Sequence, residues 1–209
     1  MPSKRFSKLD TAKQRQILEV AGLEFSTHGY DAASYNQIIA GAGVSKGAMY
    51  YYFEDKADLY ATVLRDCVTR FLVFLGPLPE VESATGFWMA VEEMYVRGMR
   101  FYEIDRTAIG LTRSLAGAVV HGDTAAPIAE LREVTEAWMA GLVATGQRLG
   151  AVRTDVPTDL LLAVAVSVSD GIDLWLARHI DEMALDDLEA FSKQFVDLYR
   201  RMAKPTEPR

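Results

Sequence analysis

Apolar residues recur at three- and four-residue intervals through almost the whole chain, and no alternating Val/Ile/Thr/Tyr run bounded by Asn-Gly or Asp-Gly turns breaks that rhythm. This spacing predicts an all-α fold. Thr11 with Gln14 three residues on makes a capping-box pattern, after which Ile17, Ala21 and Phe25 share one face until Gly29 stops the helix. A second, short helix opens at Ser34, with Gln37 in the capping-box position, and buries Ile38 and Ile39. A third runs from Ser45 to Phe53 after Ala42-Gly43-Val44. Asp55 caps a fourth, whose face of Leu59, Val63, Leu64, Cys67, Phe71 and Leu72 ends at Gly76-Pro77-Leu78-Pro79. Five longer helices are expected at about Ser83 to Glu103, Asp105 to Val119, Pro127 to Arg148, Thr158 to Arg178 and Leu185 to Ala203.

With 209 residues, half of them apolar, the chain is long enough to bury a substantial core. The apolar run from Leu160 to Val168 falls short of the roughly 18 to 20 residues that cross a bilayer. No membrane partner is expected, and with no secretory signal visible at the N-terminus a cytoplasmic location is. The net charge of −7 argues at first against a polyanionic partner, but the average hides an asymmetry. Residues 1–53 carry six basic side chains (Lys4, Arg5, Lys8, Lys13, Arg15, Lys46) against four acidic ones (Asp10, Glu19, Glu24, Asp31), while the remainder is strongly acidic. Two jobs in one chain would produce such a split.

Two short helices joined by about four residues with a glycine fit a helix-turn-helix, whose second helix enters the major groove of duplex DNA. Residues Ser34 to Phe53 match at each point: a polar cap, buried Ile38 and Ile39, small Ala40 and Ala42 at the helix approach, Gly43 at the turn. The face Ser45-Lys46-Gly47-Ala48 can come close to base edges, with Lys46 donating to guanine acceptors and Ala48 touching a thymine methyl. Tyr50 and Tyr52 can donate hydroxyls to phosphates, whereas Phe53 is expected in the core. Lys56 opens the fourth helix, a position its charge disfavours, and a phosphate partner is the preferred explanation. Gly41-Ala42-Gly43 with Gly47 lacks the spacing of a phosphate loop, so no nucleotide cofactor is expected.

The stretch from about Gln14 to Leu64 resembles the TetR family of transcriptional regulators, through Ile17-Leu18, Ala21, Phe25, His28-Gly29-Tyr30, Ser34, Ile38, Ala42 to Tyr50, Tyr52-Phe53, Lys56 and Leu59. The resemblance implies an N-terminal three-helix DNA-binding domain, residues 1–55, and a larger helical domain, residues 56–209, that binds a small molecule and dimerises through its last two helices. Carried over position by position, it places Ser34, Asn36, Ser45, Lys46, Gly47, Ala48, Tyr50, Tyr52 and Lys56 on DNA. Tyr35 stands where the family often has a smaller aliphatic residue, and Asn36 where an arginine is common.

In the second half, aromatics on apolar helices are the natural wall of an effector pocket: Phe71, Trp88, Tyr95, Trp138 and Trp175, with Arg113 either facing inward as its charge or paired with a carboxylate such as Glu92 or Glu93. They point to an apolar or aromatic effector. Leu160, Leu161, Val164, Val168, Ile172, Trp175 and Leu176 on one helix, and Leu185, Leu188, Phe191, Phe195, Leu198 and Met202 on the next, exceed what one subunit covers, which predicts a homodimer. The Asp170-Gly171 pair resembles a common feature of the TetR family's eighth helix, which implies a packing role at that contact rather than cation binding. His28, His121 and His179 have no metal-ligand spacing, no nucleophile elbow is present, and Cys67 reads as a buried thiol, so neither a metal site nor an enzyme is expected. The function that follows is a ligand-responsive repressor, dimeric on a palindromic operator and released by its effector. The alternative is a helical small-molecule sensor acting through a protein partner without operator binding.

Overall fold

A computed structural model describes residues 5–117, 124–183 and 185–205, the side chains of 113–117, 126–127, 181 and 185–186 excepted. Arg113's side chain and the punctuation expected at His121-Gly122-Asp123 therefore lie outside the described residues, as do the side chains of Pro127, which stands near the start of the seventh helix as expected, and Leu185. After a 3-10 turn at Phe6–Lys8 come α1 (Thr11–Ala32), α2 (Tyr35–Gly41), α3 (Lys46–Tyr52), α4 (Lys56–Leu75), α5 (Ala84–Ile104), α6 (Arg106–Gly117), α7 (Ala125–Arg148), α8 (Thr158–His179) and α9 (Leu185–Ala203). There is no strand among the described residues, and the fold is all-α. Packing divides the chain into two compact units: Met1–Arg70 with Asp105–Arg132, and Phe71–Ile104 with Glu133–Arg209. This division differs from the functional boundary expected at 55/56, because α6 packs against α1.

In the first unit the caps follow the sequence with one correction. Asp10, not Thr11, caps α1, its carboxylate accepting from the Lys13 N–H at 2.9 Å; Gln14 instead donates to the Leu9 carbonyl at 2.7 Å. Thr11 is already helical. Ser34, Ser45 and Asp55 cap as expected, accepting from the N–H groups of Gln37, Ala48 and Asp58. Gly29, at φ 71°, breaks α1, and a last turn carries the chain on to Ala32. Ile17, Phe25, Ile38, Met49, Phe53, Leu59 and Tyr60 form the core.

Two lysines close helix ends in this unit. Lys13 donates from Nζ to the Ala42 carbonyl at 2.9 Å, beyond the end of α2. Lys56 donates to the carbonyls of Tyr30, Asp31 and Ala33 at 2.8, 3.2 and 3.3 Å, with its ammonium 4.6 Å from the centre of the Tyr30 ring. Carbonyls left over at a helix end are where a cation is favoured. The approach of α6 to α1 depends on Gly110, where a Cβ would stand 2.6 Å from the Ser26 carbonyl oxygen. Arg70 ties Asp66 to Asp105 across the same region. Burial pushes the neighbouring Cys67 thiol up to about 12, which leaves it protonated and unreactive.

The second unit packs Phe87, Val91, Val143, Val152, Leu161 and Val196 into one cluster, with Trp88 at its edge donating from Nε1 to the Ala151 carbonyl at 3.3 Å. A polar group sits inside this unit. Ser169 Oγ lies 2.6 Å from Tyr199 Oη, which donates to the Ala165 carbonyl, and the Tyr95 ring is 5.9 Å from that of Tyr199. Burial, reinforced by Asp170, raises the carboxyl of half-buried Asp173 to about 7. Outside the core, Leu160, Val164 and Trp175 of α8 and Leu198 of α9 stay between 40% and 53% exposed. By length and composition α8 is apolar enough to cross a membrane, which corrects the expectation drawn from its longest uninterrupted run. Counting the run alone ignored the apolar residues on both sides of Asp170 and Asp173.

Replacing Lys56 by methionine keeps the aliphatic stem and removes the cation from three carbonyls. It is expected to lower stability by about 2 kcal/mol, read as a fall in the denaturation midpoint at unchanged m-value. Asp173 supplies a pH dependence of definite sign. Its folded pKa stands above the ordinary value, so its contribution is fully present below about pH 4 and is lost as pH rises through about 7. Asp173→Asn should therefore be more stable than the wild type at pH 8, by on the order of 1 kcal/mol or more, and the gain should shrink as pH falls and vanish by about pH 4. An equal gain at both pH values would assign the effect to packing.

Candidate nucleic-acid interface

The turn between α2 and α3 is built by small residues and closed from outside. Ala42 is fully buried, Gly43 takes φ 59°, and the Gly43 N–H returns to the Ala40 carbonyl. Ile38, Ile39 and Met49 face inward, so the opposite side of α3 is turned to solvent. Ser45, Lys46 and Gly47 are exposed and Ala48 half-exposed; a Cβ added at Gly47 would meet nothing within 4 Å. A flat face of this kind, with the exposed cation of Lys46 near its start, lets a helix lie close to base edges.

Tyr50 is 49% exposed, with its ring edge-on to Tyr35 at 5.4 Å. The Tyr35 hydroxyl is buried and has no hydrogen-bond partner among the described residues. Its departure from the family pattern thus has a structural use: the larger ring on α2 braces the tyrosine that α3 presents. Tyr52 is half-buried against Phe6, and Phe53 is 1% exposed in the core, as its position predicted. Ser34 is half-buried and occupied as a cap, with its N–H donating to Glu24 at 2.8 Å; Asn36 is exposed on the first turn of α2.

Lys56 has a structural role that its position in the sequence did not show. The cation that looked misplaced at a helix start is held by three carbonyls and an aromatic ring, so the fold accounts for it without a phosphate. Sequence reasoning missed its role because the acceptors lie 23 to 26 residues away. It also passed over Arg5, Phe6 and Tyr51. The signal for Phe6 was a lone aromatic in a polar segment, and the structure buries it to 4% exposure.

The aromatics expected around an effector make different contacts in the structure. Phe71 packs on Phe101 and Tyr102, Tyr95 belongs to the buried polar group with Tyr199, and Trp138 is half-buried on α7. Trp175 stacks on His179 and Phe191 at 4.3 and 4.5 Å, on the uncovered side of α8. Trp88 borders a groove of about 170 Å³, open to solvent, which Met89 and Glu92 of α5 and Lys193, Val196 and Arg200 of α9 also line. Among the described residues, no group of three or more His, Cys, Asp or Glu side chains is placed to hold a metal.

Comparison with known proteins agrees with this geometry. Residues 17–63 match the family described as bacterial regulatory proteins, tetR family. The chain is 25% identical to the HTH-type transcriptional repressor AcnR of Corynebacterium diphtheriae over 196 residues, 94% of each chain. It is 27% identical to the HTH-type transcriptional repressor Rv1474c of Mycobacterium tuberculosis, covering 83% of this chain and 87% of that protein. The structure of the transcriptional regulator FadR from Bacillus subtilis, in complex with stearoyl-CoA, superimposes with a TM-score of 0.74 at 17% identity, over 88% of this chain and 96% of that one. The helix-turn-helix geometry, the matched segment and the likeness to repressors along most of the chain agree: residues 17–63 are a DNA-binding segment of the tetR family type, and the chain as a whole is similar to transcriptional repressors that carry it.

Proposed function

We propose that this protein is a cytoplasmic, ligand-responsive transcriptional repressor that binds a palindromic operator as a homodimer and releases it when a small molecule occupies the helical domain. The single observation that carries the reading is the solvent face of α3, where Ser45, Lys46 and Gly47 stand clear while the opposite face is buried. Residues 1–55 act as the reading head and 56–209 as the sensing and dimerising part, with no catalytic step. Lys46 donates to base acceptors, Ala48 meets a thymine methyl, and Tyr50 and Tyr52 position the helix on phosphates, with Ser34 and Asn36 at the start of α2 beside them.

The uncovered apolar side of α8 and α9 supports the dimer. Leu160, Val164, Trp175 and Leu198 leave a surface that a second copy would bury in a four-helix contact, and the acidic and basic residues along α8 fit that role better than a bilayer. Two copies related by a two-fold axis can set their α3 helices about 34–36 Å apart, one turn of duplex DNA. α4 carries residues of both compact units, which makes it the element through which an effector would bias the head. At equilibrium, effector and operator must weaken each other by the same factor. The bound stearoyl-CoA of FadR supports an apolar effector as the class to screen first.

In competition binding against a panel of altered operators, Lys46→Ala should cost about 1–3 kcal/mol on the preferred duplex and relax preference at one or two positions. Tyr50→Phe should weaken every duplex alike, by about 1 kcal/mol, leaving preference intact. Loss of preference in neither variant would remove α3 from base readout. Sedimentation equilibrium tests the dimer: Trp175→Asp should yield monomers and lose operator affinity, while its melting curve remains cooperative.

A further inference from the structure

The N-terminal turn is pinned beside the recognition helix in a way that the sequence pattern of the helix-turn-helix does not require. Phe6 is 4% exposed although Arg5, Ser7 and Lys8 around it are exposed. Its ring lies 4.8 Å from that of Phe53 and 6.4 Å from that of Tyr52, which places the turn on the C-terminal end of α3. Arg5 then stacks its guanidinium 4.1 Å over the ring of Tyr51, itself 53% exposed. No carboxylate pairs with Arg5 among the described residues. These residues precede the matched segment 17–63, so no family position assigns them.

We propose that this turn is a second DNA-contacting element, in which Arg5, anchored by Phe6 and laid on Tyr51, meets a backbone phosphate flanking the groove that α3 reads. A guanidinium stacked on an aromatic face keeps its N–H groups free at the rim, and those groups match the oxygens of a phosphate. The ring restricts the side chain before binding, so less freedom is lost when the phosphate arrives. Tyr50 and Lys46 lie on the same helix, which makes the duplex the anion within reach. Lys8, exposed in the same turn, adds to the local positive field. The inference rests on the operator-binding reading above.

The experiment uses the full-length protein and the tightest duplex recovered by it from a randomised pool, with affinity measured across a salt series. Arg5→Gln is expected to weaken binding about 3- to 10-fold, equally on preferred and altered duplexes, and to reduce the slope of log affinity against log salt by about one. Its melting temperature should match the wild type, and Arg5→Lys should restore most of the slope. Unchanged affinity and slope in Arg5→Gln, with Lys46→Ala still altering preference, would overturn the inference and leave the turn a packing element. A loss confined to A·T-rich flanks and not restored by lysine would overturn the phosphate assignment in favour of a minor-groove contact. Failure of the wild type to bind any duplex with a steep salt slope would instead remove the operator reading itself.

Discussion

An ammonium group held by the loose end of another helix is the contact on which the reading head depends. Lys56 begins α4, yet its charge is spent on the carbonyls that close α1, so the chain's entry into and exit from the helix-turn-helix are tied at one point. α2 and α3, seven residues each, are too short to hold themselves in water. They persist because their ends are fixed by Ser34, Ser45 and Lys13 and because Ile38, Met49 and Phe53 have a core to enter. With that frame set, the outward side of α3 is free of structural duty. Lysine and glycine can stand there for a ligand's sake, beside the serine that caps the helix.

The aromatic cluster at the same helix shows how one run of residues divides between packing and presentation. Tyr50 to Phe53 point in successive directions about 100° apart, so no more than part of the run can be buried. Phe53 takes the core, Tyr52 shares Phe6, Tyr50 leans on Tyr35 and Tyr51 carries Arg5. Each ring is thereby held in one orientation. The second unit follows a different logic: its interior accommodates a polar group around Tyr199 and Asp173, while apolar surface on α8 and α9 is left uncovered.

Helix class, helix number and the serine and aspartate caps were legible because they depend on neighbours three or four residues away. The assignments of Ile38, Ile39 and Phe53 to the core were legible for the same reason. The first cap slipped by one residue, from Thr11 to Asp10, because both side chains can accept and only the backbone angles choose between them. The packing role of Lys56 was not legible because its three acceptors are distant in sequence. Aromatic composition identified Phe71, Trp88, Tyr95, Trp138 and Trp175 as candidates for one wall, yet their placement depends on packing between helices, which spacing along one helix does not encode.

By itself, the sequence determined an all-helical chain with a short helix-turn-helix near its start and an acidic, apolar remainder, since periodicity, caps and local charge are short-range properties. Only the tertiary structure decided that α6 joins the first packing unit, that Tyr35 braces Tyr50, and that a turn outside the motif lays Arg5 on Tyr51. Those outcomes rest on contacts between residues many turns apart. Their energies depend on which surfaces remain after the local elements have formed.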